Sequence, residues 1–563
     1  MKSLRIIQFA VLAASTACAS GKTVTETPAP APTPVATTPP PAQPAATNPA
    51  PPPPVRLTEA PRDWQLLDAT SDRVVGVSAR RAERELLAGK QPKRTVVVAV
   101  IDGGIDTAHV GLKANLWSNP KEIAGNGKDD DNNGYADDVR GWNFIGGKNG
   151  DVQYDALELT RLYARCTKQA PGSAAKLPVP DAATCKRASD EFEKQKAETQ
   201  QLAQQVEQIS VVMTRANDIM RRALGTDSLT KAKVAAYSPT SSETQQAKMM
   251  WLKLADAGIT PEELNKAKEE VESKTKYGLN PQYDPRTIVG DDYSNTAERK
   301  YGNADVMGPD ARHGTHVSGI IGGVRGTTGG IDGIATNVKL MMIRTVPDGD
   351  ERDKDIANAI RYAVDNGANI VNMSFGKGFS PEKGAVDEAV KYADSKGVLL
   401  VHAAGNDGEN LAEKPSFPTP AYTGGGKPNN WLEVGASSWK GLDSLAASFS
   451  NYGKAQVDIF APGVDILSTV PGGGYERESG TSMAAPVVSG VAAMLMSYFP
   501  TLSAADVKRI LIDSSTRYAD QKVVRPGAQN GEQVPFGSLS ITGGVVNAYA
   551  AVKLAEQMSA TKP

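Results

Sequence analysis

Arg94-Thr-Val-Val-Val-Ala-Val-Ile101 is an unbroken β-branched run that ends at Asp102-Gly-Gly, with no alternation of apolar and polar positions. Such a run predicts a strand buried on both faces, as in a parallel sheet covered by helices. Similar runs recur at Val338-Lys-Leu-Met-Met-Ile343, Ile370-Val-Asn-Met-Ser374 and Val398-Leu-Leu-Val-His-Ala403. Helical spacing fills the intervals, for example Asp355 to Asp365 and Pro381 to Lys396. Strands alternating with helices predict an α/β domain built on a mostly parallel sheet flanked by helices, with reactive groups on loops at the carboxyl ends of strands.

One long segment, Tyr154 to Gly278, breaks the alternation and shows no strand pattern. Within it Leu202, Val206, Ile209, Met213, Ala216, Met220 and Ala223 are spaced 4, 3, 4, 3, 4 and 3 apart, a heptad seam with Glu, Gln and Arg on the other faces. Further on, Thr260-Pro-Glu-Glu263 supplies an N-cap, a proline at the first helical position and a capping-box glutamate, so a second helix runs to about Lys276. The segment therefore reads as an inserted α-helical hairpin or small bundle, not as a polar disordered insert, which would not keep an apolar heptad.

Composition changes the picture chiefly at the N-terminus. The 563 residues hold 62 Lys+Arg against 64 Asp+Glu, a formal charge of −2. That balance argues against a general nucleic-acid binder, which needs a basic surplus to displace counterions. Thirteen of the 37 prolines lie between Pro28 and Pro54, a stretch without a charged residue, which reads as an extended linker. Before it, Lys2 and Arg5 precede the apolar run Ile6 to Ala14, too short for a bilayer but suited to a secretory signal. Ser15-Thr-Ala-Cys18 resembles a bacterial lipobox, with Ser15 where Leu is usual, so Cys18 is the expected lipidated residue and the Pro/Ala-rich stretch its tether. The expected place is outside the cytoplasm: anchored at the cell envelope through Cys18, otherwise periplasmic or secreted. Of three cysteines, Cys166 and Cys185 then remain, a plausible single disulfide in an exported chain.

The candidate chemistry lies in three separated motifs: Asp102-Gly-Gly-Ile-Asp106, His313-Gly-Thr-His316-Val-Ser-Gly319 and Gly480-Thr-Ser-Met-Ala-Ala-Pro486. A serine hydroxyl needs a base to take its proton, and that base needs a third group to fix its tautomer and stabilise the imidazolium. Asp, His and Ser in this order are the order of the subtilisins. On these motifs the chain resembles the subtilisin-like serine peptidases, from Val97 to Asp106 and then from about Asp291 to the helix near Asn547 to Ala555, with the helical insertion outside the resemblance.

The resemblance implies a three-layer α/β fold and peptide-bond hydrolysis. Asp102 would orient the base, His313 would be general base and then general acid, and Ser482 the nucleophile. Ala403-Ala-Gly-Asn406 resembles the segment carrying the family's oxyanion asparagine, so Asn406 would donate its amide beside the Ser482 N–H. Asn372-Met-Ser-Phe-Gly376 resembles the strand that pairs with an extended peptide. Ser374, Phe375 and Gly376 would form one wall of the specificity pocket, and Ala403, Ala404 and Gly405 the other. Gly103 departs from the family, which commonly has Ser or Thr there, and so removes a hydroxyl near Asp102. His316 and His402 read as structural histidines and His109 as a surface one. Asp407 and the acidic turn Asp348-Gly-Asp-Glu351 would favour basic substrate side chains. The partners implied are peptide and protein substrates, the membrane through Cys18, an unspecified partner for the insertion, and no nucleic acid.

Asp129-Asp-Asp-Asn-Asn-Gly-Tyr-Ala-Asp-Asp138 holds five acidic and no basic residues. Oxygen donors at alternate positions around a turning glycine suit a hard cation with six to eight oxygen ligands. Asp129, Asp131, Asn133, the Tyr135 carbonyl and Asp138 are the expected Ca²⁺ ligands. An EF-hand's closing glutamate falls on Arg140, so the site is of a loop type; no organic cofactor is expected. The chain divides into residues 1–18 (signal), 19–55 (linker), 56–153 (first part of the peptidase domain), 154–278 (insertion) and 279–558 (the remainder). Two other readings share these features. One is a catalytically silent scaffold whose insertion binds a partner, and the other is an esterase with the same triad. The stretch from Val55 to about Lys93 leaves about 40 residues for a prosegment, marginal for an independent domain, and Trp64-Gln-Leu-Leu67 offers an apolar anchor should it pack on the body instead.

Overall fold

The structure, a computed structural model, describes residues 57–561. The proposed signal, the linker and Cys18 lie outside the described residues. Nine strands form the main sheet: β1 (Val96–Asp102), β2 (Gly141–Asn143), β3 (Val338–Arg344), β4 (Ile370–Met373), β5 (Leu399–Ala403), β6 (Trp431–Ser437), β7 (Ile459–Pro462), β8 (Thr516–Arg517) and β9 (Gly544–Val545). Their order is β8-β9-β7-β6-β5-β4-β1-β3-β2. Every pairing is parallel except β8 with β9.

The unalternating runs face two cores. Val96, Val98 and Val100 of β1 join a core with Val317, Ile320 and the apolar face of the helix Thr481–Tyr498. Ala99 and Ile101 join the opposite core, built with Ile356, Ile360, Val386 and Val390 of the helices Asp353–Asp365 and Lys383–Ser395. Both faces of the sheet are thus covered, which is why its strands carry so few polar residues.

Residues 57–93 share the first core. Trp64 is fully buried and donates Nε1–H to the Val464 carbonyl (3.0 Å), and the Val77 carbonyl accepts from Ala548 N–H (2.7 Å). The segment before β1 therefore packs into the body instead of forming a separate domain.

The insertion begins later than the sequence pattern indicates. The chain separates into two compact units, and the described part of the smaller is Asp190–Leu279. In this unit the heptad seam is the buried face of the long helix Ala182–Leu224: Leu202, Val206 and Met213 pack with Ile259, Leu264, Ala267 and Val271, while Met220 packs with Val234 and Ala247. Thr260 caps the helix Pro261–Ser273 by accepting the Glu263 N–H (3.2 Å). The expected boundary at residue 154 is corrected, because residues 154–189 belong to the larger unit. Asp155 is buried there against Arg352 (2.7 and 2.9 Å), and Cys166 is disulfide-bonded to Cys185. Replacing Asp190–Leu279 by a flexible linker is expected to leave a cooperatively folded protein, whereas a deletion beginning at Tyr154 removes buried ionic partners and should abolish the cooperative transition. Thermal melts of the two variants check this.

Candidate active site

β1 ends at Asp102, whose carbonyl accepts the Thr345 and Val346 N–H groups (3.0 and 3.3 Å) and whose side chain is buried. His313 is the second residue of the helix Arg312–Gly322, and its Nδ1 lies 2.8 Å from Asp102 Oδ1. Gly314 allows that approach, since a Cβ there would stand 2.2 Å from the Gly104 carbonyl. The Gly103 N–H also donates to Oδ1 (2.7 Å), while Oδ2 is buried without a hydrogen-bond partner among the described residues, in keeping with the hydroxyl that position 103 lacks. Burial pushes the His313 pKa down, but the Asp102 carboxylate beside it, then Glu478 and Asp310, outweigh this and raise it to about 9. With Asp102 accepting the Nδ1–H hydrogen bond, neutral His313 presents Nε2 as the acceptor.

Ser482 sits in the first turn of the helix Thr481–Tyr498. Its hydroxyl donates to the Ser374 carbonyl (3.1 Å), and the Ser374 hydroxyl donates to the Ser482 carbonyl (3.0 Å). The second bond has a cause in the sequence. Pro486 lies four residues beyond Ser482 and has no N–H, so the Ser482 carbonyl lacks its helical donor and is free for Ser374. Ser374 is fixed in turn by Asn372 Nδ2 (2.9 Å), whose Oδ1 accepts from Ser489 (2.8 Å). Here the Ser482 hydroxyl is hydrogen-bonded to the Ser374 carbonyl and not to His313, so donation to His313 would require it to turn from one acceptor to the other.

Asn406 follows β5. Its Oδ1 accepts from the Thr481 N–H (2.8 Å) and the Thr481 hydroxyl (3.0 Å), which fixes the amide's orientation. A Cβ built on Gly480 would lie 3.6 Å from Asn406 Nδ2 and 3.6 Å from the Ser482 N. Both donors thus border one small space at the helix N-terminus, suited to an oxyanion. The loop bearing Asn406 is stapled by Asn451, which donates to the Ala404 carbonyl (2.9 Å) and accepts the N–H groups of Asp407 (3.0 Å) and Glu409 (2.9 Å). Gly405, at φ 104°, gives up its Cβ space to Asn451 Nδ2. Neither Asn451 nor the bracing role of Thr481 was apparent from sequence, because their partners are loop backbone groups far away in the chain.

Of the other histidines, His316 is buried with Nε2 near the carbonyls of Ile466 (3.1 Å) and Glu476 (3.0 Å), and burial lowers its pKa. Its proton therefore resides on Nε2. His402 is buried between Glu433 (2.9 Å) and the Phe375 carbonyl (2.9 Å), directly behind the wall formed by Ser374, Phe375 and Gly376. His109 is not a surface residue: it is covered by the hairpin of Ile466–Val470 and Gly474–Glu478, bonds the Gly474 carbonyl (3.1 Å) and packs edge-on to Tyr475. The acidic turn is largely committed inward. Glu351 is buried and Asp350 accepts the Glu158 N–H (2.8 Å), leaving Asp348 and Asp407 exposed.

The acidic loop gathers a different set from the one expected. Asp129 and Asp131 come together with Glu122, one oxygen of each within 4.8 Å of the others. Asp138 is not among them and the Asn133 amide is turned to Asp138, a correction with a clear cause. Asp138 is buried and satisfied by Asn119 (2.7 Å), Asn133 (3.0 Å) and Tyr362 (2.6 Å), and the other end of the Asn133 amide accepts the Tyr135 N–H (2.8 Å). The Tyr135 ring is buried against Trp142, Phe144 and Tyr362. Glu122 escaped notice because it lies outside the acidic run.

The sequence profile of the Subtilase family matches residues 93–530. A thermophilic serine proteinase of Bacillus sp. (strain AK1) is 39% identical over 218 residues, 38% of this chain and 49% of that protein. Subtilisin DY of Bacillus licheniformis is 37% identical over 223 residues, 39% of this chain and 76% of that protein. The match thus spans about half the length of the first relative and three quarters of the second. Among solved structures, a mutant of the protease domain of PatA aligns at 32% identity with a TM-score of 0.36, covering 44% of this chain and 82% of that one.

His313 is protonated below its pKa and then cannot accept the Ser482 proton. The rate at which a fluorophosphonate modifies Ser482 should therefore rise with pH, with a midpoint above 6.5 and up to about 9. Because the His313 side chain is 41% exposed, water screens part of the pull from its neighbours. Glu478→Gln removes one of the charges holding the proton and should move the midpoint down. An unchanged midpoint in that variant would contradict the assignment.

Proposed function

Because the chain belongs to the subtilase family, we propose that it is a serine endopeptidase in which Ser482 attacks the peptide carbonyl, His313 relays the proton, Asp102 orients His313, and Asn406 with the Ser482 N–H receives the oxyanion. The observation that carries this reading is the Asp102–His313 pair at 2.8 Å together with a serine at a helix N-terminus beside an oriented asparagine amide. An extended peptide pairing along Ser374 to Gly376 brings its own N–H donors to that backbone. Competing for the Ser374 carbonyl, it would release the Ser482 hydroxyl to His313, so that substrate binding itself readies the nucleophile. The proton passes from Ser482 Oγ to His313 Nε2 as the C–O bond forms, and from Nε2 to the leaving amine as the C–N bond breaks. Water then repeats the sequence on the acyl-enzyme.

We further propose that the chain is exported and lipid-anchored through Cys18, and that Glu122, Asp129 and Asp131 hold a Ca²⁺ ion. Three carboxylates fit a hard cation in charge and donor type, and water would complete its shell. The ion's role would be to tie the loop together, and it takes no part in the reaction.

A fluorophosphonate probe is expected to label the wild-type protein and not Ser482→Ala; equal labelling, or none in either, would sink the peptidase reading in favour of a silent scaffold. Asn406→Ala should lower turnover by about 10²–10³, the size known for loss of this donor in a subtilisin. Chelation should lower the melting temperature by a few degrees, and Asp129→Asn should remove that sensitivity. Mass spectrometry of the mature N-terminus checks the lipid.

A further inference from the structure

The buried ionic residues at the root of the insertion take no part in the proposed chemistry, yet they converge beside it. Lys377 directly follows the wall formed by Ser374, Phe375 and Gly376. Its backbone exchanges two hydrogen bonds with Phe417 (3.0 and 2.8 Å). Its side chain is buried, with Nζ 2.8 Å from each of Glu158 Oε2, Asp353 Oδ1 and the Glu351 carbonyl. Glu158 opens the helix Glu158–Cys166 and is 1% exposed. Its second cation is Arg161, 2.7 Å away. Arg161 also donates to the carbonyls of Asp350 (3.1 Å) and Glu351 (3.2 Å). Burial raises the Glu158 pKa, but Arg161 and Lys377 outweigh it and hold the carboxyl well below its ordinary range. The carboxylate is therefore charged.

A buried ion pair is seldom the most stable way to join two surfaces, since apolar side chains of similar volume do as well or better. What this cluster adds is direction. It links three backbone stretches, at 158–161, 350–351 and 377, through donors and acceptors whose geometry is fixed. One of those stretches continues the strand along which substrate is proposed to lie.

We propose that Glu158 and Arg161 are positioning residues for substrate binding: acting through Lys377 and the carbonyls of Asp350 and Glu351, they hold the extended segment Ser374 to Gly376, which follows β4, in register for an extended peptide. This rests on the peptidase reading above. The root of the insertion is then part of the substrate-binding apparatus, whatever the helical unit beyond it does.

The test compares two substrates in the full-length protein, an extended peptide amide that uses the whole wall and p-nitrophenyl acetate, which does not. Glu158→Gln is expected to lower kcat/KM for the peptide at least about tenfold, mainly through KM, while acetate hydrolysis and fluorophosphonate labelling stay within about twofold of wild type. Arg161→Lys keeps the charge but loses the forked donors, carries the same expectation, and serves where Glu158→Gln does not fold. Peptide hydrolysis within twofold of wild type, or an equal fall for both substrates, would overturn the inference while leaving the peptidase reading intact. A wild-type protein that is neither labelled nor able to cleave the peptide would overturn both.

Discussion

The two hydrogen bonds exchanged between Ser374 and Ser482 hold the proposed nucleophile to the sheet, and much of the site follows from them. They exist because Pro486 withholds the N–H that the Ser482 carbonyl would otherwise bond. A proline inside a helix is ordinarily a loss of about 3 kcal/mol. Here the freed acceptor is satisfied from β4's end, so the helix gains a contact across the chain where it loses a local one. Ser489, two turns on, repeats the connection through Asn372. The helix N-terminus cannot slide along the sheet without breaking buried polar contacts, and the proposed oxyanion space between Asn406 and the Ser482 N–H is fixed with it.

The hairpin of residues 466–478 does for His313 what Ser374 does for Ser482. Ser468 and Thr469 donate to the carbonyls of His316 and Thr315 (both 2.7 Å), and His316 Nε2 returns to the carbonyls of Ile466 and Glu476. On its other side the Gly472 N–H donates to Asp106 (3.0 Å) and Gly474 accepts from His109. Arg312 also pairs with Glu476 and Glu478, but Arg312 and Glu476 are about half exposed, and pairs open to water contribute only about 0–1 kcal/mol. The buried bonds, each worth about 1 kcal/mol and costly to leave half-made, carry the attachment. One hairpin therefore touches the loop after Asp102 and the helix of His313, and leads directly into the helix of Ser482.

What the sequence disclosed and what it withheld divide along contact range. β1, β3, β4 and β5 were legible because burial on both faces leaves a local signature, and Asp102, His313, Asn406 and Ser482 because each lies in a compact motif. Glu122, Asn451 and the enclosure of His109 were not, since each depends on loops that meet only in the folded chain. The insertion's boundary fell in the same class. Helical periodicity marks where strands stop, at Tyr154, but not where the body stops, near Ser189, because a helix rooted in the body and a helix leaving it carry the same pattern.

That distinction bears on how the added segments relate to the catalytic body. The near-neutral total charge conceals a concentration of buried ions: Asp155, Glu158, Arg161, Arg286, Lys354 and Asp355 are all almost inaccessible to water. Arg286 pairs with Asp291 and Asp355, and Lys354 with Asp291 and Glu298, so the chain returning from the insertion is bound to the helix Asp353–Asp365, while the chain entering it is bound through Asp155 to Arg352, the residue just before that helix. Residues 57–93 are attached by the other means, an apolar core with Trp64 at its centre. Apolar burial is non-directional, whereas paired and hydrogen-bonded buried charges fix the orientation of the groups they join. The ionic attachment lies where position matters most, next to Ser374 to Gly376, the segment along which substrate is proposed to lie, and the apolar one lies where the segment has only to be held.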